Sequence, residues 1–123
     1  ETYCDRNQAP VGLHSGAVSE QSVPYAVPQE NGNKDSARWF ALRDAGNRVL
    51  RVQGVEPFGF SAHHYTPEDL EAAYHTHEVR VREDITVLID AKQRGVGSGA
   101  CGPEPLEQYK VLPGTYHLRY SVC

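Results

Sequence analysis

Two β-forming stretches, residues 37–42 and 49–55, flank Asp44-Ala45-Gly46-Asn47, and this spacing constrains the fold more than any other feature of the chain. Trp39 and Phe40 give the first stretch its strand preference. Asp, Gly and Asn accept the backbone angles of a tight connection, so the pair reads as a β-hairpin. Similar punctuation recurs along the sequence. Residues 23–28 form a short extended piece limited to a sheet edge by Pro24 and Pro28. Gln29-Glu30-Asn31-Gly32 then turns the chain. Val79 and Val81 alternate with Arg80 and Arg82, residues 85–89 are a near-continuous apolar strand, and 109–112 reads as another. Pro113-Gly114 precedes a last strand with Tyr116, Leu118, Tyr120 and Val122 on one face. The one helix signal is Thr66-Pro67-Glu68-Asp69, with a capping hydroxyl, a proline at the first position and two acids at the positive end. It predicts a short helix over 67–73. Roughly seven strands, one small helix and frequent turns predict an all-β sandwich.

A chain of 123 residues is one domain with one modest core. Its hydrophobic content of 39% is low for such a domain, so part of its natively buried surface is expected to face other chains or domains. The net charge is −4 and no basic stripe exists, which argues against nucleic acid as a partner. No apolar run reaches the roughly 20 residues of a bilayer span, so no membrane role is expected. Cys4, Cys101 and Cys123 are odd in number and far apart, which favours a reducing compartment over a disulfide framework. A Cys4–Cys123 bridge between the chain ends stays open.

The most distinctive segment is Ile89 onward, IDAKQRGVGSGACGP, where a strand runs into a loop with glycines at 95, 97, 99 and 102. Such a loop lets backbone approach a ligand or another backbone closely. Its candidate contact residues are Gly97, Ser98, Gly99, Ala100, Cys101 and Gly102. Asp90 and Gln93 at its base are candidates to orient it, with His75 as a further support. A nucleophilic Cys101 is the alternative reading of the loop, though no histidine lies within a dozen residues.

Other constellations have two readings each. Glu30-Asn31 beside Arg38 suits sugar hydroxyls, or is a turn bonded to its own backbone. His75 and His77 share a face on a strand and so suit a metal, or are structural; His63-His64 is a weaker case of the same kind. Glu78, Glu83 and Asp84 are a potential carboxylate pair for glycoside cleavage, or a solvated face. No catalytic residue and no metal site is assigned.

Three ordered segments give a resemblance. The first is Tyr3-x-Asp5-Arg6 followed by Pro24-Tyr25-x-x-Pro28-Gln29-Glu30-Asn31-Gly32. The second is Tyr65-Thr66-x-x-Asp69-Leu70-x-x-Ala73-x-His75-x-x-Glu78-Val79. The third is Ile89-Asp90-x-x-Gln93-x-Gly95-Val96-Gly97, then Cys101-Gly102-Pro103. Together they resemble the C-terminal part of the large bacterial β-galactosidases of glycoside hydrolase family 2.

The resemblance implies about half of an antiparallel β super-sandwich of galactose mutarotase-like fold. It implies a bacterial, cytoplasmic parent that retains configuration while hydrolysing terminal β-D-galactosides such as lactose. The family's two catalytic glutamates and its magnesium and sodium sites lie in a separate barrel domain, so this chain is expected to hold no cofactor and to be inactive alone. Its expected partners are the rest of the parent chain, above all that barrel, and the galactoside or glucose at loop 95–103. In well-known members the corresponding loop carries a tryptophan that stacks on the aglycone sugar; Cys101 stands there in this sequence, and the loop is one residue shorter. Cut sheet edges imply self-association. The alternative function is an independent carbohydrate-binding module, with Trp39, Phe58, Phe60 and Tyr65 as candidate platform aromatics or as core.

Overall fold

The computed structural model describes residues 12–93, 103–104 and 106–123. Strands β1 (Lys34–Arg43), β2 (Val49–His63), β3 (Thr86–Asp90) and β4 (Tyr120–Val122) form one antiparallel sheet, and α1 (Pro67–Glu71) is the one α-helix among the described residues. The expected class, all-β and antiparallel with one short helix, is the observed one. Among the described residues there are four strands rather than about seven.

The β1–β2 hairpin forms where the turn residues place it. Arg43 faces Val49, Asp44 Oδ1 accepts from the Arg48 amide at 2.9 Å, and Asn47 takes φ +63°. The second strand is far longer than residues 49–55, because it continues through a bulge. Trp39 faces Gln53, but Ala37 faces Phe58, so residues 54–57 have one counterpart across the ladder. Pro57 sits in this bulge, where its missing N–H interrupts little pairing. Beyond it β2 resumes with the alternation Phe58, Phe60, Ala62 against Gly59, Ser61, His63.

This long strand organises the sheet. Along one side it pairs with β1. Along the other it pairs first with β4 (Val52 with Val122) and, past the bulge, with β3 (Phe60 with Ile89). One sheet face carries the core: Phe40, Val52 and Phe58 are buried, and Phe60 stacks on Phe40 at 4.3 Å between ring centroids. Ala37, Leu42, Val87, Ile89 and Leu118 pack around them.

Helix α1 begins at the predicted position. Thr66 Oγ1 accepts from the Asp69 amide and Asp69 Oδ2 from the Thr66 amide, a reciprocal cap. It ends at Glu71 rather than Ala73.

Four expected strands differ. Residues 23–28 and 79–82 are irregular; Val79 is half-buried and Val81 77% exposed. Residues 109–112 are not a strand; a 3-10 turn, Glu107–Tyr109, is held there by the Lys110–Glu107 ion pair at 2.6 Å. The last strand is confined to Tyr120–Val122, which faces Val52 to Gly54 of β2.

Candidate functional site at the foot of the glycine-rich loop

β3 ends at Asp90, where the glycine-rich loop departs. Gly97, Ser98, Gly99, Ala100, Cys101 and Gly102 lie outside the described residues, whereas the foot of the loop is described. Asn33, just ahead of β1, is 4% exposed and donates from Nδ2 to Asp90 Oδ2 at 2.8 Å. Gly59 faces Asp90 across the ladder. A Cβ at Gly59 would stand 3.3 Å from Asn33 Oδ1 and 3.4 Å from Asp90 Cβ, so the glycine makes room for this contact. Glu30 adjoins the same corner. Its carboxyl is pushed above the usual range, first by burial and second by the negative charge of Asp90. Gln93 is half-buried.

Behind the foot lies a buried polar network on the face opposite the phenylalanines. His63, 4% exposed, donates from Nε2 to the Asn31 carbonyl at 3.0 Å. Its Nδ1 pairs with Ser22 Oγ at 3.1 Å, and Ser22 Oγ pairs in turn with the Tyr65 hydroxyl at 2.9 Å. Tyr65 also stacks on the His63 ring at 4.6 Å. Gly32 permits the close crossing with φ +74°, since a Cβ there would overlap the Gln21 carbonyl. Asn31 accepts from the Val23 amide at 2.8 Å and donates to the Gln29 carbonyl at 2.9 Å. Both functions of its amide thus hold the turn, which is the backbone reading of Glu30-Asn31. Arg38 is exposed on β1.

The remaining candidates are dispersed. His75 is exposed, bonded to Glu78 at 3.3 Å and stacked against His77 at 5.6 Å. Among the described residues no three His, Cys, Asp or Glu side chains gather to hold a metal. Glu78 accepts from the Tyr74 and His75 amides, which holds its carboxyl below the usual range; Glu83 and Asp84 are exposed. Of the platform aromatics, Phe58 and Phe60 belong to the core, Tyr65 to the polar network, and Trp39 has the Arg51 guanidinium 4.6 Å over its ring. Cys123 is an exposed free thiol.

The sequence did not reveal the roles of Asn33, Gly59 and Ser22, whereas the structural reading of His63 is the one its hydrogen bonds bear out. Nor did it reveal a cavity of about 390 Å³ lined by Ser22, Tyr25, His64, Tyr65, Leu70 and Val79. The one available signal for Asn33 and Gly59 was the pairing of a strand glycine with a buried amide, which needs the register to be seen.

Comparison with known proteins adds to this geometry. Residues 1–122 match the family model described as the β-galactosidase small chain. A β-galactosidase of Arthrobacter sp. (strain B7) is 36% identical over 120 residues, covering 92% of this chain and 12% of that protein. β-Galactosidase BgaC of Bifidobacterium adolescentis is 34% identical over 125 residues, covering 99% of this chain and again 12% of that protein. A β-galactosidase of Actinobacillus pleuropneumoniae is 28% identical over 123 residues. The chain therefore spans about one-eighth of the length of the curated relatives it matches. Matched along nearly its whole length and carrying the antiparallel sheet expected of such a segment, the chain belongs to the β-galactosidase small-chain family.

Proposed function

We propose that this chain is a non-catalytic β-sandwich segment from the C-terminal part of a retaining β-galactosidase of glycoside hydrolase family 2. The observation that carries the reading is the family match over residues 1–122. In this reading both catalytic carboxylates, and the magnesium and sodium ions of such enzymes, belong to the remainder of the protein. Loop 95–103 meets the aglycone side of the active site, and Asp90, held by Asn33, fixes the direction in which it leaves the sheet. Such positioning matters because a displacement of about 1 Å at a substrate contact can cost on the order of a hundredfold in rate. Of the carboxylates, Asp69 binds Arg82 and Glu78 caps a turn, while Glu83 and Asp84 lie exposed. Cys101 offers a sugar ring much less contact area than an aromatic side chain, so the aglycone is held weakly.

Ligand-observed NMR with galactose, glucose and lactose at millimolar concentration, beside a chromogenic β-galactoside assay, tests this reading. The isolated chain should neither bind nor turn over. Saturable binding without turnover would instead establish a carbohydrate-binding module.

A further inference from the structure

Ser22 stands between the buried polar network and the apolar cavity. It is half-buried and lines the cavity of about 390 Å³ together with Tyr65, whereas His63 lies buried behind them. The hydrogen bonds of this group have a fixed direction. The Asn31 carbonyl can only accept, so His63 Nε2, 3.0 Å away, carries the ring proton. In the neutral ring Nδ1 is then the acceptor, and Ser22 Oγ donates to it over 3.1 Å. With its own hydrogen directed at His63, Oγ accepts from the Tyr65 hydroxyl at 2.9 Å. The stacking of Tyr65 on His63 at 4.6 Å keeps both rings in place. A hydroxyl whose proton already points at a base, with that base oriented by a third group, is the arrangement that activates a serine. The space in front of it is walled by Val23, Pro28, Leu70, Val79 and Val81. Its volume lies at the low end for small-molecule sites, and its walls suit an uncharged apolar group.

We propose that Ser22 is an acyl acceptor, with His63 as its general base, for small uncharged esters that enter this cavity. Ser22 Oγ attacks the ester carbonyl carbon while its proton passes to His63 Nδ1. The bond between Oγ and the carbonyl carbon forms, the bond from that carbon to the alcohol oxygen breaks, and the departing alcohol takes the proton back from His63. Nothing is oxidised or reduced. The Asn31 carbonyl, which accepts from Nε2, stabilises the imidazolium that exists between the two proton transfers. The Tyr65 hydroxyl, which donates to Oγ, stabilises the negative charge that develops there as the proton leaves. The activity is separate from glycoside cleavage and does not depend on loop 95–103.

The test treats the full chain with p-nitrophenyl acetate and follows acetylation residue by residue with peptide mass mapping. Ser19 is the internal control, because it lines the same cavity but is exposed. Ser22 should be acetylated about a hundredfold faster than Ser19, the advantage that a positioned base confers. In the chain unfolded by urea the two serines should react at equal rates. Tyr65→Phe keeps the ring that stacks on His63 and removes the hydroxyl donor. It should slow acetylation of Ser22 about fivefold and leave Ser19 unchanged. His63→Gln should bring Ser22 down to the Ser19 rate, with circular dichroism to show that the variant is folded. Where that variant does not fold, the urea comparison and Tyr65→Phe decide. A Ser22 no faster than Ser19 in the folded chain would overturn the proposal. So would an advantage of Ser22 that survives in urea or in the folded His63→Gln chain, and so would acetylation confined to lysine, tyrosine and cysteine side chains.

Discussion

Asn33 Nδ2 donates to Asp90 Oδ2 at 2.8 Å, tying the residue that precedes β1 to the residue from which the glycine-rich loop departs. The other amide atom, Asn33 Oδ1, is buried without a partner. Asn33→Ala therefore loses a charge-assisted bond but also removes an unsatisfied acceptor. The net destabilisation should be about 1 kcal/mol, read from urea denaturation. A change above about 3 kcal/mol would mean that Asn33 does more than anchor Asp90.

Gly32 is the tightest crossing in the polar network. At φ +74° an added Cβ would overlap the Gln21 carbonyl and stand 2.8 Å from His63 Cε1. Gly32→Ala should cost about 3 kcal/mol, combining left-handed backbone strain with overpacking. Gly46→Ala meets only Asp44 Oδ1 at 3.3 Å and should stay within about 0.5 kcal/mol of wild type. Equal effects at the two sites would contradict the tight packing at Gly32.

The acid limb of stability should be shaped by Asp69. Arg82 grips its carboxylate through Nε and Nη2 at 2.5 and 2.9 Å, and the Thr66 amide adds a third bond, which together hold it well below the usual carboxylate range. A depressed folded pKa gives stability that is present above the unfolded value of about 3.9 and is lost as pH falls below it. Asp69→Asn should be less stable than wild type at pH 7 and should approach it in acid, measured by thermal melts across pH. A pH-independent difference would show that the ion pair does not account for the loss.

Glu30 should act in the opposite sense. Its folded pKa is raised by burial and by Asp90, so the folded chain holds the proton more tightly than the unfolded chain. Stability then falls as pH rises from about 4.3 through the folded value. Glu30→Gln should stabilise the chain at neutral pH and converge with wild type below about pH 4. A destabilised Gln variant at pH 7 would show that the Glu30 carboxylate has a favourable partner.

Much of the fold was legible because local chemistry decided it. Asp44 and Asn47 make the hairpin, and Thr66 with Asp69 starts the helix, each through contacts within four residues. The length of β2 was not legible. Its continuation past Pro57 depends on β3 and β4 taking successive stretches of one edge, a long-range arrangement with no local sign. The same holds for the site. Asp90 was readable as a loop base from its place beside the glycines. Asn33 and Gly59 reach it only through the sheet register, and Val81 alternates like a strand residue although it is 77% exposed.

If Cys101 faces the aglycone, Cys101→Trp in the B. adolescentis β-galactosidase carrying this chain in place of its matched segment should strengthen product inhibition by glucose. An aromatic contact of about 1 kcal/mol corresponds to a roughly fivefold lower inhibition constant. An unchanged constant would remove Cys101 from the aglycone side.

The most direct test of the whole account is hydrolysis of a chromogenic β-galactoside by the isolated chain and by the B. adolescentis enzyme carrying this chain in place of its own matched segment. The account predicts no turnover by the chain and turnover by the chimera. Turnover by the isolated chain, or a folded chimera that is inert, would contradict it.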